Sequence, residues 1–182
     1  MPDVENIPCV DNSFSVVQCR SAFHHMENSI QVFREMLRFC EPNGRLAVQD
    51  IIAYRDPKVN AFFEALEKNI DISHNSTLHK QEFIDLFDQN QVEVIRSFVV
   101  EIELNFHEYL GHAHQSERSL AKIKELLEDG LRDREISRFL YMNKEMELVI
   151  KRSVFLILGR KRRSSSMTLS RTSAGSYIPG HK

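Results

Sequence analysis

The segment from Phe14 to Ile52 limits the possible folds more than any other part of this 182-residue sequence. It opens with a nearly continuous apolar run, Phe14 to Cys19, which is typical of a short buried strand. A helix with one apolar face follows, with Asn28-Ser29 as its capping signal and Pro42-Asn43-Gly44 as its stop signal. Residues 46–52 form a second apolar run, as in a strand covered on both faces. Strand, helix and strand joined by short turns predict a parallel crossover unit, and therefore an α/β fold.

More helices and strands are predicted farther along the chain. Asp56-Pro57 is an N-cap followed by a first-turn proline, which predicts a helix that runs to about Ile70. Another amphipathic helix carries Phe83 to Phe87. Apolar residues occupy the even positions from Val92 to Leu104, except at Arg96, and this period of two predicts a long strand with one apolar face.

The last third of the chain is predicted to contain an insertion, a closing strand and a tail. The highly charged region of about 106–152 is predicted to be a helical insertion, in which Gly130 ends the main helix. A last short strand is predicted over 153–158. We therefore assign residues 1–161 to one partial domain and residues 162–182 to a disordered, basic, Ser-rich tail.

Charge is distributed unevenly between the tail and the rest of the chain. The formal net charge is -2, but residues 160–182 carry six basic residues and no acidic ones, so the remainder carries -8. Affinity for nucleic-acid backbones comes mostly from clustered Lys and Arg, so the acidic body argues against a nucleic-acid groove.

The spacing of glycine and cysteine excludes several kinds of site. The six glycines are too far apart for a complete G-x-G-x-x-G or Walker-type phosphate loop. Cys9, Cys19 and Cys40 lack C-x-x-C spacing and lie in apolar surroundings, as expected for reduced thiols in an intracellular protein. No apolar window approaches the roughly 20 residues of a membrane span. These features predict a soluble, cytoplasmic protein.

Several short motifs, in order along the chain, resemble one enzyme family. The run from Asp3 to Val17 resembles the segment D-A-E-x-L-P-F-x-D-x-S-F-D-x-V of class I S-adenosylmethionine-dependent methyltransferases. It is most similar to the small-molecule enzymes of the ubiquinone and menaquinone biosynthesis type. Phe23-His24-His25 resembles their L-H-H motif, Glu41 to Leu46 their K-P-G-G-x-L motif, and Asp71 to His74 the D-P-S-H of some members. The resemblance covers roughly residues 2–161.

This resemblance implies a partial Rossmann-like methyltransferase sheet with flanking helices. It would contain the family's fourth to seventh strands, with the last strand antiparallel, which are contiguous in the family's strand order of 3-2-1-4-5-7-6. Ligands of such sheets bind outside the carboxyl ends of the strands. The resemblance therefore places S-adenosyl-L-methionine against Asp3 and the backbone of Val4, and against Cys19, Arg20 and Ser21. Without the resemblance, Asp3 would be a polar residue in a frayed terminus.

Three histidines would line the substrate side of such a site, namely His24, His25 and His74. His24 and His25 are candidates for a general base, because imidazole titrates near neutral pH. A substrate-lining or structural role is the alternative, since methyl transfer is often limited by positioning, and His74 would otherwise be a turn residue. Adjacent histidines point in different directions, so no metal is expected. A second group, His107, His112 and His114, is expected to be solvated.

The family's cofactor loop, a strand followed by G-x-G-x-G, does not precede Asp3 in this sequence. The parent activity implied by the resemblance is methylation of a small molecule, but we expect the isolated chain to bind the cofactor weakly and to be inactive. The strand at Phe14 to Cys19 would lack a neighbour, which leaves an open edge that could bind a protein partner. The alternative function is therefore a non-catalytic interaction protein or pseudo-enzyme.

Overall fold

The computed structural model describes residues 7–163, which form a mixed β-sheet with helices packed against it. The elements in chain order are β1 (Phe14–Arg20), α1 (Ser29–Phe39), β2 (Cys40–Ile51), α2 (Pro57–Ile70), α3 (Lys80–Gln89), β3 (Val92–Asn105), α4 (Phe106–Leu110), α5 (Glu117–Arg132), β4 (Leu140–Met142) and β5 (Leu148–Lys161). Two single 3-10 turns lie at Phe23–His25 and Ile136–Arg138.

The order of the strands confirms the expected fold class. The sheet order is β1-β2-β5-β3, and the short β4 also pairs with β5. β1 and β2 are parallel, whereas β5 is antiparallel to β2, β3 and β4. This is the order of the fourth, fifth, seventh and sixth strands that the resemblance implied. The predicted crossover unit and the antiparallel last strand are therefore present.

α1 begins where the sequence predicted, but it ends earlier. The Asn28 side chain accepts a hydrogen bond from the backbone N–H of Gln31 at 3.1 Å and so caps the helix. The helix ends at Phe39 and β2 begins at Cys40, so that Pro42-Asn43-Gly44 lies inside the strand instead of ending the helix. The pairing of β1 with β2 changes register there, and a Cβ at Gly44 would lie only 2.8 Å from the carbonyl oxygen of Glu41. The turn-like residues therefore make a bulge.

α2 spans the predicted residues. The Asp56 carboxylate accepts hydrogen bonds from the backbone N–H groups of Lys58 at 2.8 Å and Val59 at 3.1 Å, and Pro57 occupies the first turn. The buried face of α2 includes Phe63 and other apolar side chains. Between residues 7 and 163 no helix combines the length and the apolar content that crossing a bilayer requires.

β3 differs from its predicted pattern in which side chains are buried. A register shift between Val94 and Arg96 means that Val94 pairs with Gly159 whereas Arg96 pairs with Leu158, so the even positions do not share one face. β3 is also an edge strand, and only Val92 among its residues is buried. The period of two predicted the strand correctly, but it could not show that Phe98 would remain 42% exposed.

The predicted helical region of 106–152 is helical only in part. It contains α4, α5 and the turn that ends at Arg138, and it then continues into β4 and the first part of β5. The closing strand therefore begins at Leu148, well before the predicted Ser153. Gly130 does not end α5, which continues to Arg132. A Cβ at Gly130 would lie 2.6 Å from the Phe62 ring, so the residue instead allows α5 to approach α2 closely.

Two hydrophobic clusters pack against the sheet. The first lies between α1, α3 and the sheet, and its fully buried members include Phe33, Phe83, Phe87 and Phe155. The second lies between α2, α5 and the β4–β5 hairpin, and its fully buried members include Leu66, Leu140 and Ile150. Because Phe155 and Ile150 lie on opposite faces of β5, each cluster covers a different side of the sheet. The carboxyl ends of β1 and β2 lie between them and carry polar side chains.

Candidate active site

A buried carboxylate, that of Asp50, organises the carboxyl ends of β1 and β2. The residue is 1% exposed. Its Oδ2 atom accepts hydrogen bonds from the backbone N–H groups of Ala22 at 3.0 Å and Phe23 at 2.7 Å. Its Oδ1 atom lies 2.6 Å from Nδ1 of His24. Since a carboxylate can only accept hydrogen bonds, Nδ1 of His24 carries a proton, and in the neutral ring Nε2 is left as an acceptor.

The backbone after β1 turns sharply and so brings His24 over Asp50. Ser21 adopts a φ of 48°, a left-handed conformation that is uncommon for residues other than glycine, and its N–H donates to the carbonyl of Gln49 at 2.8 Å. A 3-10 turn follows, and Phe23, which is 1% exposed, anchors it in the first hydrophobic cluster. The strained turn at Ser21 and the buried Phe23 side chain therefore hold the backbone of His24 in place.

His25 makes a second polar chain with the loop after α2. Its Nδ1 atom lies 3.0 Å from Oγ of Ser73, and the Ser73 hydroxyl donates to Oδ1 of Asp71 at 2.6 Å. The backbone N–H of Ser73 donates to the same Oδ1 at 2.8 Å. Hydrogen bonds from Ser73 lower the pKa of Asp71. The Asp71 carboxyl group is therefore ionised near neutral pH and accepts hydrogen bonds.

His74 is held by a different carboxylate, that of Glu64 on α2. His74 is 6% exposed, and its Nε2 atom lies 3.1 Å from Oε2 of Glu64. Partial burial alone would raise the pKa of Glu64, but hydrogen bonds from His74 and Thr77 outweigh it and lower the pKa to about 2. Glu64 is therefore ionised and accepting, which puts the His74 proton on Nε2, the opposite tautomer to that of His24.

The three predicted histidines thus come together in one cluster. The ring centroids of His24 and His25 are 4.0 Å apart, and the His74 ring lies 5.6 Å from that of His24. The backbone N–H of Asn75 donates to the carbonyl of His24 at 2.9 Å, so the loop after α2 is docked on the turn after β1. His107, His112 and His114 are exposed and lie outside this cluster. In residues 7–163 no group of three His, Cys, Asp or Glu side chains is arranged to hold a metal ion.

The residues predicted to face the cofactor lie at the carboxyl end of β1, where the structure describes them. Cys19 is half-buried and lines an apolar groove of about 410 Å³, whereas Arg20 and Ser21 are exposed. The groove runs along β1 and α1, and its lining contains no Asp or Glu. Among the described residues it offers apolar packing for a small molecule and no carboxylate for sugar hydroxyls. Asp3 and Val4 lie outside the described residues.

The three cysteines, of which Cys9 and Cys19 line this groove, should differ in reactivity. Burial and the nearby charge of Asp50 raise the pKa of Cys19 to about 11, and burial also raises the pKa of the fully buried Cys40. Because the thiolate is the reactive form, we expect iodoacetamide at about pH 8 to modify Cys9 faster than Cys19 and Cys40 in the native protein. All three should react in urea. Peptide mass spectrometry measures the rates, and equal labelling of Cys9 and Cys19 in the native state would contradict the prediction.

Two carboxylates in the site, those of Asp50 and Glu64, were missed by the sequence analysis. Asp50 had a detectable signal, since it is the single acid within the apolar run of 46–52. A charged side chain in a buried strand indicates that another group pairs with it or donates hydrogen bonds to it. Glu64 had no such signal, because it lies on a helix with many polar residues and meets His74 only through the loop that follows.

Comparisons with known proteins agree with the expected family. A methyltransferase domain family matches residues 1–48. The Bacillus subtilis protein YcgJ, described as an uncharacterized methyltransferase, is 32% identical over 88 residues, which are 48% of this chain and 35% of YcgJ. Escherichia coli YafE is 25% identical over 120 residues, which are 66% of this chain and 58% of YafE. The chain thus spans between about a third and three fifths of the length of these relatives.

Solved structures show the same fold. A candidate methyltransferase from Bacillus halodurans, BH2331, superposes with a TM-score of 0.78 at 20% identity, over 88% of this chain and 70% of that one. The YcgJ structure superposes with a TM-score of 0.74 at 23% identity, over 88% of this chain and 69% of YcgJ. Together the domain match and the curated relatives show that the chain is similar to methyltransferases, and its described residues have the Rossmann-like fold of these solved structures.

Proposed function

We propose that this chain carries the acceptor side of a methyltransferase site that acts on a small molecule, with His24 as the general base. The observation that carries the proposal is the 2.6 Å contact between Nδ1 of His24 and the buried carboxylate of Asp50. A carboxylate on one imidazole nitrogen fixes the tautomer and stabilises the imidazolium that forms when the other nitrogen takes a proton. Nε2 of His24 is therefore suited to remove a proton from a hydroxyl or amine acceptor.

The remaining site residues would hold the two reactants. S-adenosyl-L-methionine, when bound, supplies an electrophilic methyl group. Cys19, Arg20 and Ser21 would lie against its methionyl part, and the resemblance assigns Asp3 and Val4 to its adenine. His25 and His74 would line the acceptor side, since both lie within the histidine cluster. Because the groove beside β1 has no carboxylate among residues 7–163, we propose that the isolated chain binds the cofactor weakly. Membership of the ubiquinone and menaquinone biosynthesis type and a cytoplasmic location remain part of this proposal.

Calorimetry with S-adenosylhomocysteine tests the binding part of the proposal. We expect the purified chain to bind this product more weakly than micromolar, because only part of the cofactor surface is provided. Micromolar or tighter binding would contradict the proposal that the chain alone is a weak binder.

A transfer assay tests the role of His24. Because the isolated chain is expected to bind the cofactor weakly, it is incubated at high concentration with excess labelled S-adenosylmethionine and with panels of small hydroxylated and amine acceptors, and the low residual transfer is measured. We expect His24→Ala to lower the transfer rate by about 100-fold or more, since a positioned general base contributes at least that factor. His107→Ala is the matched control, because His107 is exposed and outside the cluster. Measurable transfer that proceeds at the same rate in the two variants would exclude His24 as the base.

The exposed edge of β1 favours a second candidate function, binding of a protein partner. Val16 is 58% exposed and Phe14 is 46% exposed, and both line the apolar groove. An unpaired strand edge beside apolar side chains can accept another strand. Size-exclusion chromatography with light scattering tests this candidate. A folded monomer with no tendency to associate would count against this second function.

A further inference from the structure

We infer that Ser73 and Asp71 position His25 so that the site presents two neighbouring imidazole acceptors to a substrate with two adjacent O–H or N–H donors. The inference rests on the proposed function, in which His24 contacts the acceptor group. Ser73 is a positioning residue, because it acts through His25. A molecule with vicinal hydroxyl groups, or with a hydroxyl beside an amine, has the matching chemistry.

The tautomer of His25 follows from the direction of the hydrogen bonds. A serine hydroxyl has one proton, and in Ser73 that proton is donated to Oδ1 of Asp71 at 2.6 Å. The Ser73 oxygen can then only accept from Nδ1 of His25, 3.0 Å away. The His25 proton is therefore on Nδ1, and Nε2 is an acceptor, as in His24.

Neither free nitrogen is hydrogen-bonded to another group in the described part of the chain. Among residues 7–163, neither Nε2 of His24 nor Nε2 of His25 has a hydrogen-bond partner. The His24 side chain keeps 13% of its surface exposed, and the two rings lie 4.0 Å apart between centroids. His74 differs, because its Nε2 atom is already used by Glu64. The cluster therefore holds two histidines with the same free nitrogen in neighbouring rings, and one histidine that is committed to the fold.

Two adjacent acceptors select for two adjacent donors. A substrate hydroxyl at His24 loses its proton to Nε2 during transfer, while a second hydroxyl donates to Nε2 of His25 and keeps its proton. No bond changes at His25, so its contribution is orientation of the acceptor. A substrate that lacks the second donor would leave one imidazole unpaired and would bind less tightly.

Nitrogen NMR of the full chain tests the positioning step without cofactor or turnover. At about pH 8, where ordinary imidazoles are neutral, we expect proton–nitrogen correlations to show His24 and His25 as Nδ1–H tautomers and His74 as the Nε2–H tautomer. Ser73→Ala should shift the His25 nitrogens toward the Nε2–H pattern, and Ser73→Thr, which keeps the hydroxyl, should restore them. Ser76→Ala is the matched control, because its side chain makes no hydrogen bond in the described structure. An Nε2–H pattern for His25, or no change in Ser73→Ala, would overturn the inference.

The ligand class is tested with cis-1,2-cyclohexanediol and cyclohexanol as probes. We expect the diol to shift the Nε2 resonances of both His24 and His25, and to bind about tenfold more weakly to Ser73→Ala, the loss of roughly one hydrogen bond. Cyclohexanol should shift the resonances less and should be insensitive to the variant. Equal shifts from the two probes, or no shift from either, would contradict the ligand class. Failure of the proposed function would appear separately, as residual transfer that His24→Ala leaves unaffected while the tautomers are unchanged.

Discussion

Replacing Arg152 with Ala is expected to lower the free energy of unfolding by about 3–5 kcal/mol, the usual effect of breaking a buried ion pair from one side. Arg152 is 2% exposed and Glu67 is 3% exposed, and Nη1 of Arg152 lies 3.4 Å from Oε1 of Glu67. The guanidinium also lies over the rings of Tyr54 and Phe63, at 5.1 and 5.6 Å from their centroids. Removing the cation leaves the Glu67 charge in the second hydrophobic cluster without its partner.

Urea denaturation of the variant measures this loss. Arg152→Met combined with Glu67→Gln is the informative companion, because it removes both charges and keeps an acceptor for the Tyr109 hydroxyl, which donates to Oε2 of Glu67 at 2.7 Å. The double variant should recover part of the stability lost in Arg152→Ala. Lys122→Ala, which breaks the exposed pair with Glu125, is the control and should change stability much less. A similar loss in Arg152→Ala and Lys122→Ala would refute the prediction.

The elements that could be predicted from the sequence are those whose signals are local. The β1–α1–β2 unit, the α2 N-cap and the long β3 strand were all predicted, because apolar periodicity and capping residues act within a few positions. The first part of β5 was missed for a physical reason. In the sequence, the charge of Arg152 is typical of a solvated helix. In the structure, Arg152 pairs with Ile102 of β3 and its side chain is buried against Glu67 of α2. Those partners are distant in sequence.

The candidate site shows the same division between local and distant information. The motifs identified His24, His25 and His74 as candidates, and the structure places the three together. The tautomers could not be predicted, because each depends on a carboxylate or hydroxyl from another element. The roles of Cys19, Arg20 and Ser21 against a cofactor stay predictions, as do those of Asp3 and Val4.

Asp50→Ala is expected to lower the free energy of unfolding by on the order of 3 kcal/mol and to abolish the fixed tautomer of His24. The Asp50 carboxylate accepts from the backbone N–H groups of Ala22 and Phe23 as well as from His24. Hydrogen bonds to a charged acceptor contribute about 1.5–3 kcal/mol each, and the Phe23 N–H, which is buried, would be left without its acceptor. Stability and site geometry therefore depend on the same side chain.

Asp56→Ala separates this effect from ordinary capping. Asp56 also accepts two backbone N–H groups, those of Lys58 and Val59, but it is exposed, so its loss should cost only about 1 kcal/mol. Asp50→Asn keeps the size and one oxygen, so it should lose less stability than Asp50→Ala while still allowing His24 to change tautomer. Chemical denaturation and the nitrogen spectrum of His24 measure the two effects independently. Losses in Asp50→Ala no greater than in Asp56→Ala would show that the buried carboxylate does not organise this end of the sheet, and His24 would then lack the support that a general base requires.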